Sequence, residues 1–427
     1  MPDSDFNASV ALLKRGQPPD DIAILREITV GLDPLLRFIR DEYYESYINL
    51  GGSKIKFVTG KTGSGKTHFL RLLSAEARDC GYITIHISAR DVWLHDFKEI
   101  YSEIFKCVDL KTCLKRCAAK VVEELGHDCD AIPPGQTFVD YLSSLGELDA
   151  ITRKEIRNQL RELFIKNTVM DNNFAIACSL LTGNLLGHPI TEDSNEQLLI
   201  AWLSGNKDVK MPALRNLGLS PAKITKHNAR HMLRSLLEIL NIAGIPGIVV
   251  LIDDLEALNS ATSLDTIRYT KMKRDDVYES IRELVDDVDT LKNILFFFAF
   301  DRILLDDERA GLKSYVALWM RMQNEIISNR FNKFSDFYDL DKFAESAYDN
   351  QTLVQMSSCL AAVINVINNT ESESRPINET QAAELLKNAK HTAVSLPRQV
   401  VNATINGVEN STQTGGAVCS ILKPGAL

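Results

Sequence analysis

The chain contains no run of apolar residues near the roughly 18 that a membrane-crossing helix needs, so no membrane association is expected. Its first residues, MPDSDFNAS, carry no basic stretch followed by an apolar block. No secretory leader is therefore expected, and the expected setting is the cytoplasm. The 8 cysteines are scattered along 427 residues, which argues against a disulfide framework and for reduced thiols. One local group, Cys107, Cys113, Cys117 and Cys129 with His127 nearby, lacks the paired C-x2-C spacing of a zinc site. A basic excess is missing too: 48 Lys and Arg stand against 57 Asp and Glu, a formal net charge of −9. That argues against a uniformly basic nucleic-acid binder and leaves room for a local basic patch.

Glycine is sparse as well, 22 residues in all, yet Gly60, Gly63 and Gly65 crowd together. They belong to Gly60-Lys61-Thr62-Gly63-Ser64-Gly65-Lys66-Thr67, which matches G-x-x-x-x-G-K-[ST] without a gap. Glycines allow the positive φ and close approach by which successive N–H groups curl around a phosphate. Lys66 would reach the β- and γ-phosphates, and the Thr67 hydroxyl would sit on Mg²⁺. The context is the one the motif requires. IKFVT (residues 55–59) reads as a short buried strand, and the run after the loop has helical apolar spacing at Phe69, Leu70, Leu72 and Leu73. The helix would point its positive end at the anion.

Further strands are expected at YITIHISA (82–89), GIVVLIDDLEAL (within 247–258), NILFFFAF (293–300) and KFSDFYDL (333–340). The third ends in Asp253-Asp254, at the edge where ligands sit in open α/β sheets. An Asp there can hold Mg²⁺ as a Walker-B residue, a role that falls to Asp253. Residues 1–50 read as helical, with breaks at Gly16 and Pro18-Pro19. About 105–245 is a helical insertion, 341–408 a helical lid, and 409–427 an aperiodic tail expected to fray. The fold class is α/β: a P-loop NTPase core (51–340) with a parallel sheet, a large helical insertion and a C-terminal α-helical lid.

GKTGSGKTHFL, GIVVLIDDLEAL, RAGLKSYVALWMRMQNEI and SLPRQVVNATI, with the segment LRNLGLSPAKITKHNARHMLRSLLEILNIAGIPG, resemble the AAA+/STAND side of the P-loop ATPases. More narrowly they resemble the ATP-binding D component of BREX bacterial anti-phage systems. The resemblance implies ATP and Mg²⁺ as ligands, ATP hydrolysis, and assembly into an oligomer or with defence-system partner proteins. Asp253 matches the Mg²⁺-associated acid. Asp254 stands where the family usually has Glu, the base that polarises the attacking water; it is one methylene shorter, and Glu256 is the substitute. Asp301 stands at the polar sensor after the fourth strand, where Asn or Thr is commoner. Arg398, after Pro397, resembles the lid's second sensor, and Arg321 and Arg330 resemble arginine fingers given to a neighbour's site. His68 is expected to pack on or orient the loop. The shortened acid leaves a second reading open, a switch or scaffold that binds ATP with little turnover.

Two basic groups suggest contact with double-stranded DNA. Lys223, Lys226, His227, Arg230 and Arg234 are read at helical spacing opposite an apolar face, and Lys271, Lys273 and Arg274 follow the Walker-B segment. Neither group carries interleaved aromatics in the sequence, which favours duplex contact over single-strand reading.

Overall fold

A computed structural model of the protein describes residues 11–13, 15–188, 193–259, 267–326, 330–368, 376–389 and 392–413. Its strands are β1 (Ser53–Gly60), β2 (Ile83–Ser88), β3 (Ile248–Asp253), β4 (Ile294–Asp301) and β5 (Phe337–Asp339). They form one sheet in the order β2-β3-β4-β1-β5, every neighbouring pair parallel. The apolar runs of β3 and β4 explain why these two lie inside. Strands covered on both faces read as continuous rather than alternating hydrophobics. Alternate residues still part to opposite sides, as strand geometry dictates. Ile248, Val250, Ile252, Phe296 and Phe298 join the core beneath the helical insertion. Val249, Leu251, Leu295 and Phe297 join the core beneath the P-loop helix Lys66–Asp79 and the N-terminal helices.

Between β2 and β3 the chain is helical, as the sequence predicts. Asp96, Asp109, Thr137, Asp149 and Asp171 each accept a backbone N–H as N-cap of an insertion helix, satisfying donors that the helix cannot. The last of these helices before β3, Ala229–Ile242, buries Met232, Leu233, Leu236, Leu237 and Leu240.

Three expectations need correction. β5 was expected over 333–340 but pairs only through Phe337–Asp339. Residues 333–336 turn instead, because Glu325 accepts from Ser335 Oγ at 2.6 Å and Asp336 N at 3.2 Å. Lys56, 1 % exposed, donates to Ser335 O at 2.7 Å and fixes that turn against β1. The tail is also more regular than expected: the helix Leu396–Gln413 runs into it, and 414–427 lie outside the described residues. Finally, Lys223, Lys226 and His227 precede the helix that starts at Ala229, so they do not share a helical face with Arg230 and Arg234.

Candidate nucleotide-binding site

Strand register brings the site together. Gly60, the last residue of β1, stands opposite Asp301 at the end of β4, and Ser88 at the end of β2 stands opposite Asp253 at the end of β3. All four strand ends therefore open on one edge, and the loop 60–67 crosses it. Gly63 and Gly65 hold φ of +81° and +90°, the left-handed region where a side chain would be strained. A Cβ on Gly63 would also fall 2.6 Å from Arg398 Cβ. Gly65 caps the P-loop helix, which starts at Lys66.

Each polar group at this edge has a definite place. Lys66 Nζ folds back onto the loop and donates to the carbonyls of Gly60 (3.0 Å) and Lys61 (3.2 Å), with Asp301 Oδ2 at 3.4 Å. Asp301 Oδ2 also accepts from Thr62 Oγ1 at 2.8 Å. Thr67 Oγ1 donates to Asp253 Oδ2 at 2.6 Å, so the two expected magnesium ligands touch. Burial pushes the Asp253 carboxyl above its ordinary range. Ser64 Oγ is buried and has no hydrogen-bond partner. An orphaned hydroxyl, two glycines at positive φ and a carboxylate–hydroxyl pair form a set suited to a phosphate with a hard cation.

Asp254 has a φ of +60°, unusual for a residue with a side chain. Both its oxygens are engaged: Ser88 Oγ donates to Oδ2 at 2.9 Å, and Arg90 Nε lies 3.1 Å from Oδ1. Glu256 sits nearby. Its Oε1 is 3.8 Å from Arg90, and its Oε2 accepts from Asp301 N at 3.0 Å. Burial raises the Glu256 pKa.

Arg398 lies across the loop at Gly63, and its Nη2 donates to Arg15 O at 3.3 Å. Beside the loop opens a cavity of about 210 Å³, lined by Ile28, Val30 and Leu32 of the N-terminal segment and by Phe343, Tyr348 and Met356 from the helices after β5. His68 lines it too, and burial, reinforced by Arg71, pushes its pKa down to about 4.

Arg321 is elsewhere. The helix Lys271–Asp287 leaves the site edge after β3 and ends near the start of β4, at the opposite edge of the sheet. There Asp286 takes Arg321 in a two-pronged pair, Nε–Oδ1 2.7 Å and Nη2–Oδ2 2.8 Å. Arg330 lines a separate hollow with Phe337 and Lys342. Arg321 thus lies away from the edge where this chain's own loop 60–67 sits, whereas the hollow that Arg330 lines reaches Asp339 at the end of β5.

At least one residue of each basic group is engaged within the chain. Arg230 pairs with Glu283 at 2.6 Å and lies 5.1 Å from the Phe97 ring centre, and Lys273 Nζ lies 3.5 Å from the ring centre of Trp93. An aromatic absent from the local sequence thus comes in from the loop after β2. Among the described residues no group of His, Cys, Asp and Glu could hold a metal on its own, the Cys107–Cys129 region included. No described helix is long and apolar enough to cross a membrane.

Sequence reasoning missed Ser88 and Arg90, the partners of Asp254, and Asp341, whose Oδ2 accepts from Lys61 N at 2.7 Å. The strand order β2-β3 would have pointed to the first two, since it sets the end of β2 beside Asp253; Asp341 follows directly on β5. No curated protein and no solved structure matches the chain. A family model does match, over residues 5–415, and the chain belongs to the BREX system ATP-binding protein BrxC/D family.

Proposed function

We propose that the protein binds ATP at the loop 60–67 and hydrolyses it, as an AAA+-like component of a BREX anti-phage system. The observation that supports this most directly is the Thr67–Asp253 contact beside Lys66, which joins two segments 186 positions apart in the chain at one strand edge. Lys66 would exchange the Gly60 and Lys61 carbonyls for phosphate oxygens, a charge-assisted gain over neutral partners. Thr67 and Asp253 would hold Mg²⁺, which supplies neutralisation of phosphate charge. The apolar cavity beside the loop suits the base. Helices after β5 would act as the lid, with Arg398 as the cation that enters with it. Asp254 or Glu256 would orient the water. Arg321, remote from this chain's own loop, or Arg330 would complete a neighbour's site in an ATP-promoted oligomer. The work would fall on partner proteins of the system or on duplex DNA, the latter at Lys271, Lys273 and Arg274.

Lys66→Ala tests the reading. ATP affinity by calorimetry should fall by at least about tenfold, and phosphate release should fall to background. Affinity and turnover both equal to wild type would overturn it.

One observation favours a second reading, a nucleotide-dependent switch with scant turnover. Ser88 and Arg90 occupy both oxygens of Asp254, and Asp301 N–H engages Glu256. Tight ATP binding with phosphate release at background in the wild type would select it.

A further inference from the structure

The N-terminal segment that walls the cavity is fastened to the P-loop helix by side chains from a single helix face. Thr29 spends its one proton on Leu25 O, at 2.6 Å. Its oxygen lies 2.8 Å from His68 Nε2 and must therefore accept, so Nε2 carries the proton. Three residues on, Arg71 Nη1 donates to the carbonyls of Pro18 (2.8 Å) and Pro19 (2.9 Å) and pairs with Asp20 at 2.8 Å. A proline nitrogen has no proton to give, and here the two prolines are used through their carbonyls alone. Pro18, Thr29, Val30 and His68 all line the cavity.

We propose that His68 and Arg71 are positioning residues for the base half of the nucleotide site: they hold residues 18–32 as a strap whose inner side is the base wall. The inference rests on the nucleotide reading above. It separates the site into two halves that can be uncoupled. The loop 60–67 belongs to the helix and the sheet and keeps its geometry without the strap. The cavity wall depends on the strap. A ligand with a base feels both halves, whereas a bare polyphosphate feels only the loop.

The test compares Mg–ATP with Mg–tripolyphosphate by calorimetry on the full chain. In His68→Ala and Thr29→Val, ATP affinity should fall by roughly fivefold to twentyfold while tripolyphosphate affinity stays within about twofold. His68→Gln, whose amide nitrogen can donate where Nε2–H does, should restore ATP binding; Thr29→Ser should behave as wild type. Arg71→Ala should show the same split. Melting temperatures identify any variant that has lost its fold, and the Thr29 pair then carries the test. Equal loss of both ligands, or ATP affinity unchanged in His68→Ala and Thr29→Val alike, would overturn the strap. Wild-type protein that binds neither ligand would instead remove the nucleotide reading on which it rests.

Discussion

Asp301 sets a negative charge 3.4 Å from Lys66 and holds Thr62, which makes it a counter-ion to the loop lysine. A triphosphate arriving there meets a like charge, and Lys66 must leave a carboxylate to reach it. Asp301→Asn keeps an acceptor for Thr62 and removes the charge. Nucleotide affinity should rise by about threefold to tenfold, or roughly 1 kcal/mol, as read by calorimetry at low salt. Arg90 is the counterpart for Asp254. Arg90→Ala should raise phosphate release and leave ATP affinity within about twofold, since Arg90 contacts the acids rather than the loop. Unchanged or lower turnover would show that Arg90 does not restrain the base. His68 makes a pH prediction. Its folded pKa, about 4, lies below the unfolded 6.5, so the unfolded chain takes the proton first. Stability is then fully present above pH 6.5 and is lost as pH falls toward 4. The unfolding free energy from denaturant titrations should change less between pH 7 and pH 5 in His68→Gln than in wild type, by about 2 kcal/mol. At this scale Lys66, Thr67, Asp253 and Asp254 could be singled out as candidates because each stands in a local sequence pattern. Ser88, Arg90 and Asp341 were not, because only strand order and register bring them near the acids and the loop.

At the scale of elements, the joints matter as much as the strands. Gly247, just before β3, has a φ of +143°, and a Cβ there would fall 2.0 Å from Asn293 O. That carbonyl accepts from Ile248 N at 2.9 Å, so the clash would strike the bond that starts the β3–β4 ladder. Asn293 itself holds a φ of +57°, which Asn tolerates better than most residues. Its side chain compensates by donating to Ile48 O at 2.7 Å. Gly247→Ala should destabilise the fold by about 2 kcal/mol or more, seen as a lowered denaturant midpoint with an unchanged slope. Four strands were legible as apolar runs such as ILFFFAFD, and the fifth only in part, because a turn takes its first half. The order β2-β3-β4-β1-β5 was not, because apolar runs state burial and not neighbours. The false basic helix has the same cause. Lys223 to His227 repeat at helical spacing, yet Asn228 Oδ1 accepts from Thr225 N at 2.7 Å and holds the chain in a turn there.

For the whole molecule, Arg321 and the loop lie at opposite edges of one sheet, so a single chain does not bring those two together. Arg321 is held by Asp286 at the edge where β4 begins, while Lys66 sits where β1 ends. If Arg321 serves catalysis, it serves another copy's site, and turnover must depend on protein concentration; the proposed oligomer gives Arg330 the same dependence. The particle mass should rise when ATP is added to wild type, as read by light scattering. Arg330→Ala and Lys66→Ala should each be inactive alone. In an equal mixture, a site works where an Arg330→Ala copy with an intact loop lies beside a Lys66→Ala copy with an intact arginine. Random head-to-tail assembly gives that pairing at about one site in four, so the mixture should recover roughly a quarter of wild-type phosphate release. The same mixing with Arg321→Ala identifies the finger, since only the arginine that acts across the interface gives recovery from two silent parents. A monomer at every ATP and protein concentration, with turnover proportional to chain number, would confine the chemistry to one chain and leave Arg321 as a surface ion pair with Asp286 and neither arginine as a finger.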